Sequence, residues 1–428
     1  MKPQVRTVPA IAWITLLALL AAWLMTWSLP AEALQTAGAN ASANASANAS
    51  ANAGANASTN VGTSAGPDLA STSLVAQSQA LQRAHQAMLG VQVLALDGAR
   101  SSTALGQARN GSGVLISADG LVLTIGYLVL EADQVLLVHD DGRSVPARVL
   151  GYDVATGFGL VQALAPLVQS APTLGPSLAI SPATPSATSP AASPATSLPS
   201  ALTPAPPSPL LQPVTLGRAQ HLLAGQPLMI ASGGDDATVS NAQLVSRRPF
   251  SGVWEYHIDG ALFTAPPRRD HSGAGLFNPA GELVGIGSLL VTDAGGVAGD
   301  AQARQSGNMF VPVDLLLPIL DELRQRGRSA ASQRAWLGLN CVEQNGGLRV
   351  VRVSDDSPAD VAGLQVGDRI LRIDGQEVRA LAALWQTLWA GGAAEREVTL
   401  EIVRDRLPQT LKVYSVDRMK TLRRAEGI

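Results

Sequence analysis

Two places in this sequence hold residues whose type and spacing could do chemistry: Ser272 and the stretch Trp336-Leu337-Gly338-Leu339. A turn carrying a glycine lets successive backbone N–H groups converge on one point, a nest suited to a carboxylate. A strand is expected after it at Asn340 to Glu343, and a helix bearing Leu384 and Leu388 further on. Ser272 poses a harder question, because a hydroxyl becomes a useful nucleophile only when a base takes its proton. The five histidines are His85, His139, His221, His257 and His271. His271 adjoins Ser272, but neighbours on a tight loop point apart. His257 falls on an expected strand, so an unusual dyad and an ordinary surface or loop histidine are the two readings there. No His/Cys/Asp/Glu spacing suggests a metal site, and no Gly-rich strand-to-helix loop suggests a nucleotide, so no cofactor is expected.

Those residues must be carried by a chain of 428 residues, long enough for two or three domains. Lys and Arg total 30 against 33 Asp and Glu, with no basic block, which argues against a nucleic-acid partner. A single cysteine, Cys341, excludes an intramolecular disulfide. Lys2 and Arg6 precede an uncharged apolar run from Pro9 to Leu29, about the 20 residues that span a bilayer. The positive charges before it place the rest of the chain on the far side of the membrane. A signal anchor over 1–34 is favoured by that length, with a signal peptide cleaved near Ala31-Glu32-Ala33 as the alternative. Either reading exports the chain.

Residues 35–73 read as an Ala/Asn/Ser tether and about 166–212 as a Pro/Ser/Ala-rich insert, neither with enough apolar content to pack. Between and after them lie short alternating apolar runs. Asp119-Gly120 and Asp141-Gly142 are hairpin signals. Helical spacing predicts one helix at Leu74 to Met88 and another at Val313 to Gly327, with Leu316, Ile319, Leu320 and Leu323 on one face of the second. The fold class is therefore mainly β, two barrels over 74–328 and a smaller α+β unit over 330–418. The segment Phe250-Ser251-Gly252-Val253-Trp254-Glu255-Tyr256 is aromatic-rich in a chain with only 4% aromatics, and reads either as core or as a docking patch.

The last unit, roughly Arg334 to Val416, resembles a PDZ domain. Trp336-Leu337-Gly338-Leu339 is similar to that family's carboxylate-binding loop. Ser357-Pro358-Ala359, Ala362-Gly363-Leu364, Gly367-Asp368 and Ile370 to Gly375 follow its spacing. The resemblance implies peptide binding through Trp336, Leu337, Gly338, Leu339, Leu384 and Leu388, with protein C-termini or unfolded polypeptides as partners.

The middle of the chain resembles the HtrA/Deg family of exported trypsin-like serine proteases. Gly111-Ser112-Gly113-Val114, Asp119-Gly120 to Thr124, Ser272 to Asn278, Gly281 to Ile286 and Asn308 to Val313 carry the likeness. It implies a two-barrel, trypsin-like domain, a place in the cell envelope facing the periplasm, anchored or free, and a homotrimer as one expected state. Against that pattern Ser272 keeps the nucleophile position. Tyr127 stands at the base position, Gly157 at the orienting acid, and Asp270 at the glycine that helps form the oxyanion hole. A tyrosine with a pKa of about 10 is protonated at neutral pH and cannot act as base. A carboxylate near a developing oxyanion has the wrong sign. Losses of this kind cost about a million-fold in rate, roughly 8 kcal/mol of barrier. The sequence thus points to a pseudoprotease that binds peptides, in envelope protein quality control; a serine endopeptidase using Ser272 with a non-standard base is the alternative.

Overall fold

The computed structural model describes residues 68–167, 211–296 and 304–423. The apolar run at 9–29, the tether at 35–66 and nearly all of the Pro-rich insert lie outside the described residues. Among the described residues no helix is long and apolar enough to cross a membrane.

Alternation of apolar and polar residues produces strands with one face turned inward. The first barrel uses β1 (Met88–Ala95), β2 (Ala108–Ser117), β3 (Leu121–Ile125), β4 (Ala132–Val138), β5 (Ser144–Tyr152) and β6 (Phe158–Ala163). The second uses β7 (Pro227–Ala231), β8 (Val239–Ser251), β9 (His257–Ala265), β10 (Gly275–Phe277), β11 (Leu283–Val291) and β12 (Gly307–Pro312). Both sheets close, in the orders β1-β2-β3-β6-β5-β4 and β10-β11-β12-β9-β8-β7. Closure leaves no exposed sheet edge in either barrel. Leu89, Leu115, Leu123, Leu137 and Leu160 are fully buried in the first barrel, as are Ile230, Phe263, Leu276 and Phe310 in the second.

Two helical expectations are corrected. The first helix, α1, runs Asp68–Gln86, starting inside the stretch read as tether, and Met88 belongs to β1. The helix expected over Val313 to Gly327 is broken. A 3-10 turn at Val313–Leu315 is followed by a short α-helix only at Leu320–Arg326. Pro318 lies between them, and a proline lacks the N–H and crowds the carbonyl four residues earlier.

The C-terminal unit builds a six-stranded sheet from β14 (Leu339–Gln344), β15 (Gly347–Val353), β16 (Arg369–Ile373), β17 (Gln376–Glu377), β18 (Glu397–Arg404) and β19 (Leu407–Tyr414), while β13 (Ala335–Trp336) pairs with β20 (Val416–Asp417). Pro358–Val361 forms one helical turn, capped by the Ser357 side chain accepting from the Asp360 amide. The helix at Leu381–Ala390 packs Leu384, Trp385 and Leu388 into this unit's core, all fully buried. This unit and the barrels belong to one compact body beginning at Asp68. One buried tie between them is Asp153, whose carboxylate accepts from the Thr156 amide at 2.8 Å, from the Ser329 amide at 3.2 Å and from the Ser329 and Ser332 hydroxyls. Burial alone would raise its pKa, but these bonds outweigh burial and hold it below the usual range.

Candidate active site and peptide groove

Ser272 sits in the turn that leads into β10. The next residue, Gly273, has φ +75°, and a Cβ there would come within 2.0 Å of the Ser112 carbonyl oxygen, so only glycine fits. The turn is held against the first barrel: the Ser112 amide donates to the Ser272 carbonyl at 2.8 Å, and Thr124 Oγ1 donates to the Ser112 carbonyl at 2.7 Å. Gly111 to Gly113, Thr124 and Ser272, far apart in sequence, are brought together.

Tyr127 lies on a helical turn at Gly126–Val129, just after β3. Its Oη is 2.8 Å from Ser272 Oγ and 2.9 Å from the carbonyl oxygen of Ser288. Among the described residues it is the hydrogen-bond partner of Ser272 Oγ. A phenol has one proton, and a carbonyl can only accept. Given to Ser288, that proton leaves Oη a neutral phenol oxygen, too weak a base to take the serine proton. Given to Ser272, it points the wrong way altogether. Burial pushes the Tyr127 pKa up to about 12, only partly offset by the serine bond, so the phenolate is not populated at neutral pH.

The neighbouring positions offer no substitute. Gly157 has φ +83°, and a Cβ there would lie 3.1 Å from the Tyr256 hydroxyl, which itself donates to the Thr156 carbonyl at 2.8 Å. Tyr256 therefore occupies the space beside the acid position. Asp270 is clamped by Arg268, whose Nε donates to it at 2.9 Å, and by the Ser232 hydroxyl at 2.7 Å. Burial would raise its pKa, but those bonds hold it down at about 2. The expected repulsion of an oxyanion is accordingly offset by the arginine. His271 places Nδ1 3.1 Å from the Arg268 carbonyl, and burial lowers its pKa. His257 Nδ1 lies 2.8 Å from Ser251 Oγ and its Nε2 lies 3.1 Å from Gln386 Nε2, at the junction with the C-terminal unit. Among the described residues, His139, Asp140 and Asp141 are the one group of ligating types close enough to share a cation. Asp141 there already accepts from Arg143 Nε at 2.6 Å.

The nest expected at Trp336 to Leu339 is formed. Gly338 has φ +86°, and the amides of Leu337, Gly338 and Leu339 converge on a single oxygen, Glu255 Oε1, at 3.2, 2.7 and 3.3 Å. Leu337 and Leu339 are buried and Trp336 is half-buried with the Arg418 guanidinium 5.9 Å from its ring centre. Beside the nest, the Cys341 amide donates to the Val253 carbonyl at 2.7 Å, and Trp385 Nε1 donates to the Gly252 carbonyl at 2.9 Å. Leu384 and Leu388 lie in the core. The aromatic-rich segment serves both roles left open for it: Tyr256 is buried, with Trp254 stacked on it at 6.0 Å, while Gly252 to Glu255 dock on the C-terminal unit. Sequence order alone does not single out Ser288 or Arg268, and for Glu255 and Tyr256 the one signal is an acid embedded among aromatics.

Two six-stranded barrels meeting at a glycine-flanked serine, followed by a sheet-and-helix unit with a carboxylate nest, define a trypsin-like fold joined to a PDZ domain. Residues 111–286 match the trypsin-like peptidase domain family and residues 335–414 match the PDZ domain family. A probable periplasmic serine endoprotease DegP-like of Pseudomonas fluorescens is 29% identical over 310 residues, covering 69% of this chain and 53% of the relative. A protein of the same description from Pseudomonas fulva is 27% identical over 317 residues, covering 71% and 55%. Among solved structures, the HtrA-type protease AlgW with tripeptide aligns at 19% identity and TM-score 0.44, covering 81% of this chain and 97% of that one. The chain spans about half the length of the curated relatives it matches. In both domains the chain is similar to the HtrA/Deg family.

Proposed function

We propose that this chain is a proteolytically silent HtrA/Deg protein that acts in the periplasm by holding polypeptides, through their C-termini or unfolded segments, at its PDZ groove. Tyr127 Oη, 2.8 Å from Ser272 Oγ, carries the proposal. A group that keeps its own proton stands where a base would have to accept one. Gly157, which has no side chain, leaves no orienting acid at its position. Periplasmic residence is supported by the descriptions of the relatives. Membrane anchoring through residues 9–29, a homotrimeric state and a role in envelope protein quality control complete the proposal.

The relatives support a second reading. They are described as serine endoproteases, and by that likeness the chain would be a serine endopeptidase centred on Ser272. Labelling with a fluorophosphonate probe separates the two. The binding reading expects no modification above that of Ser272→Ala. Stoichiometric modification at Ser272, lost in Ser272→Ala, together with casein cleavage, would establish the enzyme.

A further inference from the structure

We infer that the PDZ groove is occupied by the chain's own Gly252–Glu255 segment, with the Glu255 side chain standing in for a peptide's terminal carboxylate, so that a partner's C-terminus binds only by displacing it. The inference rests on the peptide-binding reading above and adds what regulates that site.

Three independent contacts carry it. The amides of Leu337, Gly338 and Leu339 all point at Glu255 Oε1, the arrangement a terminal carboxylate would require. The Cys341 amide on β14 bonds to the Val253 carbonyl, the main-chain pairing that an added peptide strand makes. From the helix at Leu381–Ala390, on the other side, Trp385 Nε1 holds the Gly252 carbonyl and Gln386 meets His257 at the base of the hairpin. Glu255 is 6% exposed, so the nest it fills is closed to solvent. Each amide has one proton, and no second carboxylate can share all three. Burial pushes the Glu255 pKa up, while the nest amides, with the nearby Arg418 charge, favour the carboxylate form.

A partner is therefore recognised by two features: a free α-carboxylate and an extended C-terminal backbone able to take over the Cys341 bond. Its apparent affinity is reduced by the fraction of chains in which the segment has left the groove. Tyr256 follows Glu255 directly and its hydroxyl donates to the Thr156 carbonyl, beside Gly157.

The test uses the full chain as wild type, Glu255→Ala and Glu255→Gln, with two readouts. The first needs no ligand: amide hydrogen exchange at Leu337, Gly338, Leu339 and Cys341. In Glu255→Ala these four amides are expected to exchange at least about tenfold faster, while those of β18 keep their protection and report an intact domain. Glu255→Gln, which keeps the shape and an acceptor oxygen, is expected to fall between. Unchanged exchange at the four amides in Glu255→Ala overturns the inference. The second readout is anisotropy of a fluorescein-labelled decapeptide pool ending in valine, leucine or phenylalanine. Glu255→Ala is expected to bind the free acids at least about tenfold more tightly than wild type, and the amidated pool no better. Equal tight binding by wild type and Glu255→Ala also overturns it. Faster exchange with no peptide bound by any variant upholds the self-occupied groove and sinks the peptide-binding function instead.

Discussion

Two carboxylates, Asp270 on the loop before Ser272 and Glu255 in the PDZ groove, meet opposite surroundings. Asp270 is clamped by a guanidinium and a hydroxyl, which neutralise it and draw it into a fixed ion pair. Glu255 is held by three backbone amides, which no side chain can replace and which any other carboxylate could use equally well. On the reading proposed above, the barrel site is occupied by Tyr127, whose phenol keeps its proton beside Ser272. The PDZ site is blocked by a group that imitates its ligand. Only the second kind of block can be relieved by binding.

The comparison can be broken in several places. The largest effect is expected from Trp385→Ala, which empties a fully buried indole and cuts its bond to the Gly252 carbonyl. A loss of about 3–5 kcal/mol is expected, read by urea unfolding followed by circular dichroism. A loss under about 1 kcal/mol would mean that the indole is not packed in the PDZ core. Tyr127→Phe removes the proton shared with Ser288 and Ser272 and leaves that buried carbonyl without this donor. About 1–3 kcal/mol of stability should go, with no gain in fluorophosphonate labelling.

The Asp270 clamp makes a pH prediction. Its folded pKa lies at about 2 against an ordinary 3.8, so the carboxylate stabilises the fold above the ordinary value and loses that contribution as pH falls through the folded one. The melting-temperature gap between wild type and Asp270→Asn should be widest above pH about 4 and close between about 4 and 2. A gap that widens on acidification would show that the pair does not form. The smallest effect belongs to Ser272→Ala. Tyr127 keeps its bond to Ser288, so the change should stay within about 1 kcal/mol and leave peptide affinity as in wild type. A large loss of peptide binding there would tie the cleft to the groove more tightly than the contacts imply.

Much of the architecture was legible in the amino-acid order. Period-two alternation, Asp-Gly hairpin signals and the spacing of Gly338, Gly363, Gly367 and Gly375 specify strands and turns locally, because pleat and positive φ act over a few residues. Tyr127 and Gly157, at the positions where the resemblance expects a base and an orienting acid, were visible too, since residue types can be read directly. Pro318 is equally legible, and its missing N–H interrupts the helix that apolar spacing alone predicts across it. What sequence order could not supply was approach. Tyr127 Oη reaches Ser272 across 145 positions, and Glu255 reaches the Gly338 amide across 83. Such contacts depend on where barrel closure and domain docking place loops that share no local pattern. The sequence by itself determined which groups this chain possesses and which it lacks. The tertiary structure alone decided that its own glutamate ends in the nest, because only packing brings a hairpin of one domain to the backbone amides of another.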